Sequence, residues 1–160
     1  MKKLWCESLM GFRHLCEING WDKNVPNDIA IISIIGSEEC KDDEEIHLCS
    51  GENVLNLEFD DCSPQALNLD ENTEIYKYKS ADRVVTLHFF TDEMAKKSIE
   101  FINRNLDKDI YVHCYAGVSR SQAFISFIQQ YYTQNEWETN PNNPCVCPNY
   151  FVKSKLVKNM

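Results

Sequence analysis

The segment Ile29-Ala30-Ile31-Ile32-Ser33-Ile34-Ile35, which stops at Gly36, is the strongest constraint on what this chain can fold into. A helix calls for a longer run, and a strand with one wet face would alternate with polar residues. The run therefore predicts a strand covered on both sides, as in parallel sheets whose crossover helices lie on either face. Leu4 to Ser8 reads as a short opening strand, with a helix following over Phe12 to Ile18. Asn53 to Phe59 and Ile110 to His113 read as further strands. Thr91 is an N-cap with Asp92 and Glu93 in the first turn, where the helix dipole favours negative charge. Ala95, Ile99, Ile102 and Leu106 then recur on one helical face, which Asn105 or Asp107-Lys108 would close. Cys62 to Asp82 reads as an excursion, Arg83 to Phe89 as an extra strand, Thr139 to Pro148 as a turn region and Tyr150 to Val157 as a last helix. The alternation gives the α/β class, with a central, mostly parallel sheet flanked by helices.

At 160 residues the chain is expected to form a single domain, 1–160. Lys and Arg total 16 against 25 Asp and Glu, a formal charge of −9. That balance argues against duplex DNA or an anionic membrane as partner, since both demand a basic face. No stretch approaches 18 apolar residues and no secretory signal is recognisable, so a cytoplasmic location is expected. In a reducing compartment most of the 8 cysteines would be small buried hydrophobes. One of them remains available for thiol chemistry. The acidic run within Ser37 to Glu45 is expected to be a solvated surface loop. Cys145-Val146-Cys147, without a second pair, is too weak a signal for a metal.

The chemistry concentrates in His113-Cys114-Tyr115-Ala116-Gly117-Val118-Ser119-Arg120-Ser121. A cysteine ends a strand, and an arginine shortly after it opens an apolar helix with Ala123, Phe124, Phe127, Ile128 and Tyr131 on one stripe. A tight loop entering a helix turns several backbone N–H groups into one concavity, and the helix dipole adds positive potential there. A phosphate fits such a cradle. Arg120 can offer two parallel N–H donors to two of its oxygens, a fork that lysine lacks. Gly117 lets the loop turn where a Cβ would clash. The same field favours a thiolate at the base of the loop.

This stretch resembles the phosphate-binding loop of the cysteine-dependent protein tyrosine phosphatases, and its Gly117-Val118-Ser119-Arg120-Ser121 half is similar to the dual-specificity subgroup. The resemblance is sharp from Val112 to Phe124 and looser, through element order, from Asn53 to Tyr132. It implies hydrolysis of phosphotyrosine, with phosphoserine and phosphothreonine left open, on a phosphorylated protein or peptide and without metal or cofactor. By it, Cys114 is the nucleophile, Arg120 and the backbone of Tyr115 to Arg120 hold the phosphate, and Ser121 hydrogen-bonds the sulfur as it leaves. His113 would orient the loop and tune the thiolate. The family's general acid is an aspartate. Asp61 fits best, following the strand Leu55 to Phe59, with Asp60 beside it as rival. Asp82 is a third candidate, because its 32-residue separation from Cys114 is nearer the family's usual one than Asp61's 53. The absence of a Trp-Pro-Asp acid loop points away from the larger classical group. Two other readings stay open: a rhodanese- or arsenate-reductase-like cysteine enzyme, and a non-catalytic phosphotyrosine-binding module on the same fold.

Overall fold

In the computed structural model, which describes residues 1–140 and 147–160, the Ile29–Ile35 run is the strand it predicts, every residue of it buried. The chain order is β1 (Lys2–Glu7), α1 (Leu9–Asn19), β2 (Ile29–Ile35), β3 (Val54–Glu58), β4 (Ile75–Ser80), β5 (Arg83–His88), α2 (Asp92–Arg104), β6 (Asp109–His113), α3 (Arg120–Tyr131), β7 (Trp137–Thr139) and α4 (Tyr150–Lys158). Five strands form one sheet in the order β3-β2-β6-β1-β7, and every neighbouring pair is parallel. β6, the strand that delivers Cys114, therefore lies at its centre, between β1 and β2.

Strand alternation sorts side chains onto two cores, because successive residues face opposite sides of a sheet. Ala30, Ile32 and Ile34 join Ile110 and Val112 under α2, α3 and α4, with Ile99, Ile102, Phe124, Phe127 and Leu156. Ile29, Ile31 and Tyr111 face α1 instead, packing with Phe12, Cys16, Trp21 and Cys49. Phe12, Phe124 and Phe127 are wholly buried, and burial of each is worth roughly 1.5–3 kcal/mol. Helix ends follow local chemistry. The Ser8 hydroxyl accepts from the Gly11 amide to start α1, which stops at Gly20 with φ of 69°. The Thr91 hydroxyl starts α2 by accepting from the Met94 amide, as its sequence predicts, and Asn105 caps the far end.

Two features differ from the sequence expectation. The expected strand from Arg83 is β5, but the Cys62 to Asp82 excursion itself contains β4, and the two pair antiparallel as a hairpin separate from the main sheet, with Ala81 at φ 53° in its turn. The other is β7, a three-residue edge strand paired to β1 in the register Lys2 with Trp137. It is too short to show a period. Among the described residues no helix is long and apolar enough to cross a membrane.

Candidate functional site

β6 runs straight into the loop Cys114 to Ser119 and then into α3. The loop is held from outside by its carbonyls. Those of Tyr115, Val118 and Ser119 accept from the amides of Leu9 (3.0 Å), Cys147 (3.1 Å) and Asn149 (3.1 Å). The Gly117 carbonyl accepts from Gln122 Nε2 at 3.3 Å, with the Cys6 sulfur 3.4 Å away. The amides behave oppositely: among the described residues no acceptor takes those of Tyr115, Ala116, Val118 or Ser119. Helix α3 also begins without a side-chain cap. The Ser119 hydroxyl, at the N-cap position, donates instead to Asp61 Oδ1 at 2.8 Å. Unpaired N–H groups at a helix start are an anion-binding arrangement.

Cys114 lies buried at the base of this loop, 2% exposed. Its sulfur accepts from the Gly117 amide at 3.3 Å and lies 3.1 Å from Ser121 Oγ. Cys6 Sγ donates to the same Ser121 hydroxyl at 3.0 Å, which leaves that hydroxyl's own proton free to point at Cys114. Gly117 has φ of 72°, and a Cβ there would sit 2.8 Å from the Ser8 nitrogen and 2.9 Å from the Glu7 carbonyl carbon. Only glycine allows the β1–α1 junction to press this close.

Arg120 is 92% buried by its 8% exposure, and its three nitrogens have distinct surroundings. Nη1 donates to the Phe59 carbonyl at 3.0 Å, which fixes the guanidinium plane. Nη2 lies 3.8 Å from Glu45 Oε1, an ion pair too long for a hydrogen bond. Nε has no partner. The Nε/Nη2 edge, the one that grips an oxyanion with two parallel bonds, thus carries no hydrogen bond among the described residues and faces only the Glu45 carboxylate.

Glu45 corrects the expectation of a wholly solvated acidic loop. Its carboxylate is buried, accepting from the Gly36 amide at 3.2 Å and the Asp42 amide at 2.7 Å as well as facing Arg120. A buried arginine draws an anion in, and the paired amides keep that carboxylate from being stranded. Its neighbours Asp42, Asp43 and Glu44 are exposed, as expected.

The three candidate acids part company. Asp60 is buried, and its carboxylate accepts from the Ser37 amide (2.9 Å), the Ser37 hydroxyl (2.7 Å) and the His88 amide (2.8 Å). It clamps β2, β3 and the hairpin. Asp61 is exposed and reaches the loop itself, accepting from Ser119 Oγ and from Asn149 Nδ2 at 2.9 Å, both on Oδ1. Asp82 sits exposed in the β4–β5 turn, away from the loop's hydrogen-bond network. Arg120, Asp60, Asp61, Glu45, Asp42 and Tyr115 share one open pocket of about 310 Å³.

His113 faces away from this pocket, in the α1-side core. Its ring stacks on Phe12 at 4.3 Å, Nε2 is 2.7 Å from Ser33 Oγ and Nδ1 is 3.4 Å from the Cys114 carbonyl. Burial pushes its pKa down to about 4, so the ring is neutral near pH 7. It touches the backbone of Cys114 rather than its sulfur. Sequence reasoning missed Glu45, Cys6, Asn149 and the Phe59 carbonyl. Only Phe59, ending a strand beside the acid candidates, had any local signal. Of the Cys145-Val146-Cys147 segment, Cys145 and Val146 lie outside the described residues. We find no match to this chain among family models, curated proteins or solved structures.

Proposed function

We propose that the protein is a phosphoprotein phosphatase of the cysteine-dependent tyrosine phosphatase kind, acting on phosphotyrosine and open to phosphoserine and phosphothreonine. The observation that supports this most is the buried Arg120, whose Nε has no partner among the described residues, beside a loop in which the carbonyls of Tyr115, Gly117, Val118 and Ser119 are bonded while the amides of Tyr115, Ala116, Val118 and Ser119 meet no acceptor among the described residues. Donors without acceptors, gathered around a sulfur, are an arrangement that favours a bound oxyanion. In the proposed reaction Cys114 Sγ gives an electron pair to phosphorus, forming S–P as the ester P–O bond breaks. The departing oxygen takes the proton of the Asp61 carboxyl. Water then attacks phosphorus and returns a proton to Asp61, and the S–P bond breaks to release inorganic phosphate. The Ser121 hydroxyl, oriented by Cys6, donates to the sulfur as it leaves. Asp61 is favoured as the acid because it lines the same pocket as Arg120 and contacts the loop, whereas Asp60 already accepts three hydrogen bonds.

Two variants test the assignment with aryl phosphates. Cys114→Ser should reduce turnover of 4-nitrophenyl phosphate to background. Asp61→Asn should slow phenyl phosphate by about 10²–10⁴-fold, the range of general acid catalysis, and 4-nitrophenyl phosphate far less, because nitrophenolate leaves without a proton. Equal slowing of both esters would remove Asp61 from the acid role. Undiminished turnover in Cys114→Ser would end the phosphatase reading, and transfer of sulfur from thiosulfate to cyanide by the unmodified protein would replace it with the sulfurtransferase one.

A further inference from the structure

The pocket's charge is arranged in two tiers. At its floor stands one cation, Arg120, nine-tenths buried, with Nε unpartnered among the described residues. Four carboxylates, those of Asp42, Glu45, Asp60 and Asp61, line the same pocket. Glu45 and Asp60 are buried and committed to backbone amides, so they shape the wall. Asp42 and Asp61 are exposed at the mouth. Around them Glu38, Glu39, Asp43 and Glu44 are all exposed, and Lys41, the sole cation of this run, is held by Glu38 at 2.9 Å.

This acidic rim is fixed against the rest of the fold. The Glu39 carboxylate accepts from the Thr86 amide on the hairpin, and Arg13 Nη2 donates to the Glu44 carbonyl at 3.1 Å. The nearby charge of Asp42 pushes the pKa of the exposed Tyr115 phenol up. A rim so placed meets whatever flanks a phosphate gripped by Arg120. Anionic flanks would be repelled at several points, and cationic flanks would meet exposed carboxylates.

We infer that the pocket selects phosphorylated protein segments whose phosphoresidue is flanked by lysine or arginine, and discriminates against acidic flanks. This rests on the phosphatase reading for its chemistry, but the selectivity itself can be measured by binding alone. The probes are two synthetic phosphotyrosine peptides of equal length, one with Lys and Arg on both sides, the other with Glu and Asp. Hydrolysis and fluorescence anisotropy are followed in parallel on the full chain. At low salt the basic peptide should be favoured by about tenfold or more in both kcat/KM and affinity, as expected of several exposed charge pairs acting together. The preference should shrink toward unity in ~1 M salt, where the Debye length is about 3 Å. The double substitution Asp43→Lys, Glu44→Lys should erase or reverse it.

The outcomes separate the two claims. Turnover of 4-nitrophenyl phosphate with equal handling of both peptides, or with a preference for the acidic one, overturns the selectivity and leaves the phosphatase reading. No turnover of any phosphate, with selective binding of the basic peptide, overturns the phosphatase reading and leaves the selectivity. A preference unmoved by salt and by the lysine substitutions overturns its electrostatic origin.

Discussion

Two loops meet over the pocket, and they are built with opposite polarity. In Cys114 to Ser119 the carbonyls are tied to Leu9, Gln122, Cys147 and Asn149, while among the described residues no acceptor takes the amides of Tyr115, Ala116, Val118 or Ser119. In Ser37 to Glu45 the side-chain carboxylates turn to amides: Glu45 accepts from Gly36 and Asp42, and Glu39 from Thr86. One loop presents excess donors, the other excess acceptors. Arg120 stands between them, held on one edge by the Phe59 carbonyl and faced by Glu45 on another. Electropositive floor and electronegative rim thus coexist within one pocket of an acidic protein. Net charge alone describes only the rim.

The comparison can be broken most forcefully at Arg120. Replacing it by lysine keeps a positive charge but removes the fork, and with it the Phe59 anchor and the bidentate edge together. We expect Arg120→Lys to lower kcat/KM for aryl phosphates by about 10²–10³-fold, the usual size of losing a preorganised oxyanion donor. A loss under about threefold would mean that charge alone suffices and that the geometry described for this arginine is idle.

A smaller effect sharpens the distinction between the sulfur and its neighbour His113. Its folded-state pKa of about 4 lies below the ordinary value of 6.5. The unfolded chain therefore binds more protons between those values, and stability falls as pH drops from 6.5 toward 4. At about 1.4 kcal/mol for each unit of displacement, the loss amounts to about 3 kcal/mol by pH 4. Urea unfolding of the protein and of His113→Gln across that window should show a steeper acid loss in the unsubstituted chain. Parallel curves would contradict the burial of a neutral ring against Phe12.

What could be read from the sequence was what is encoded locally. β2 ends where its apolar run meets Gly36, α2 begins at its own hydroxyl cap, and the loop Cys114 to Ser119 is contiguous between β6 and α3. The β4 segment Ile75-Tyr76-Lys77-Tyr78-Lys79-Ser80 does alternate, and its partner β5 follows directly, so the hairpin was legible in principle. Glu45 was not. It stands among six acids, and the arginine that draws it inward is 75 residues away in sequence. Asp61 and Asn149 are likewise joined only by the folded chain, across 88 residues. The edge strand β7 has three residues, and β1 alone sets its register. A motif shows which atoms can react; which carboxylates surround them is decided by tertiary contacts.

The most direct test of the central proposal is to quench the protein in acid during turnover of 4-nitrophenyl phosphate and map any covalent phosphoryl group by peptide mass spectrometry. A single phosphoryl group on Cys114, absent from Cys114→Ser, is the predicted result. Steady release of nitrophenol with Cys114 unmodified at every quench time, or with the phosphoryl group on another residue, would contradict it.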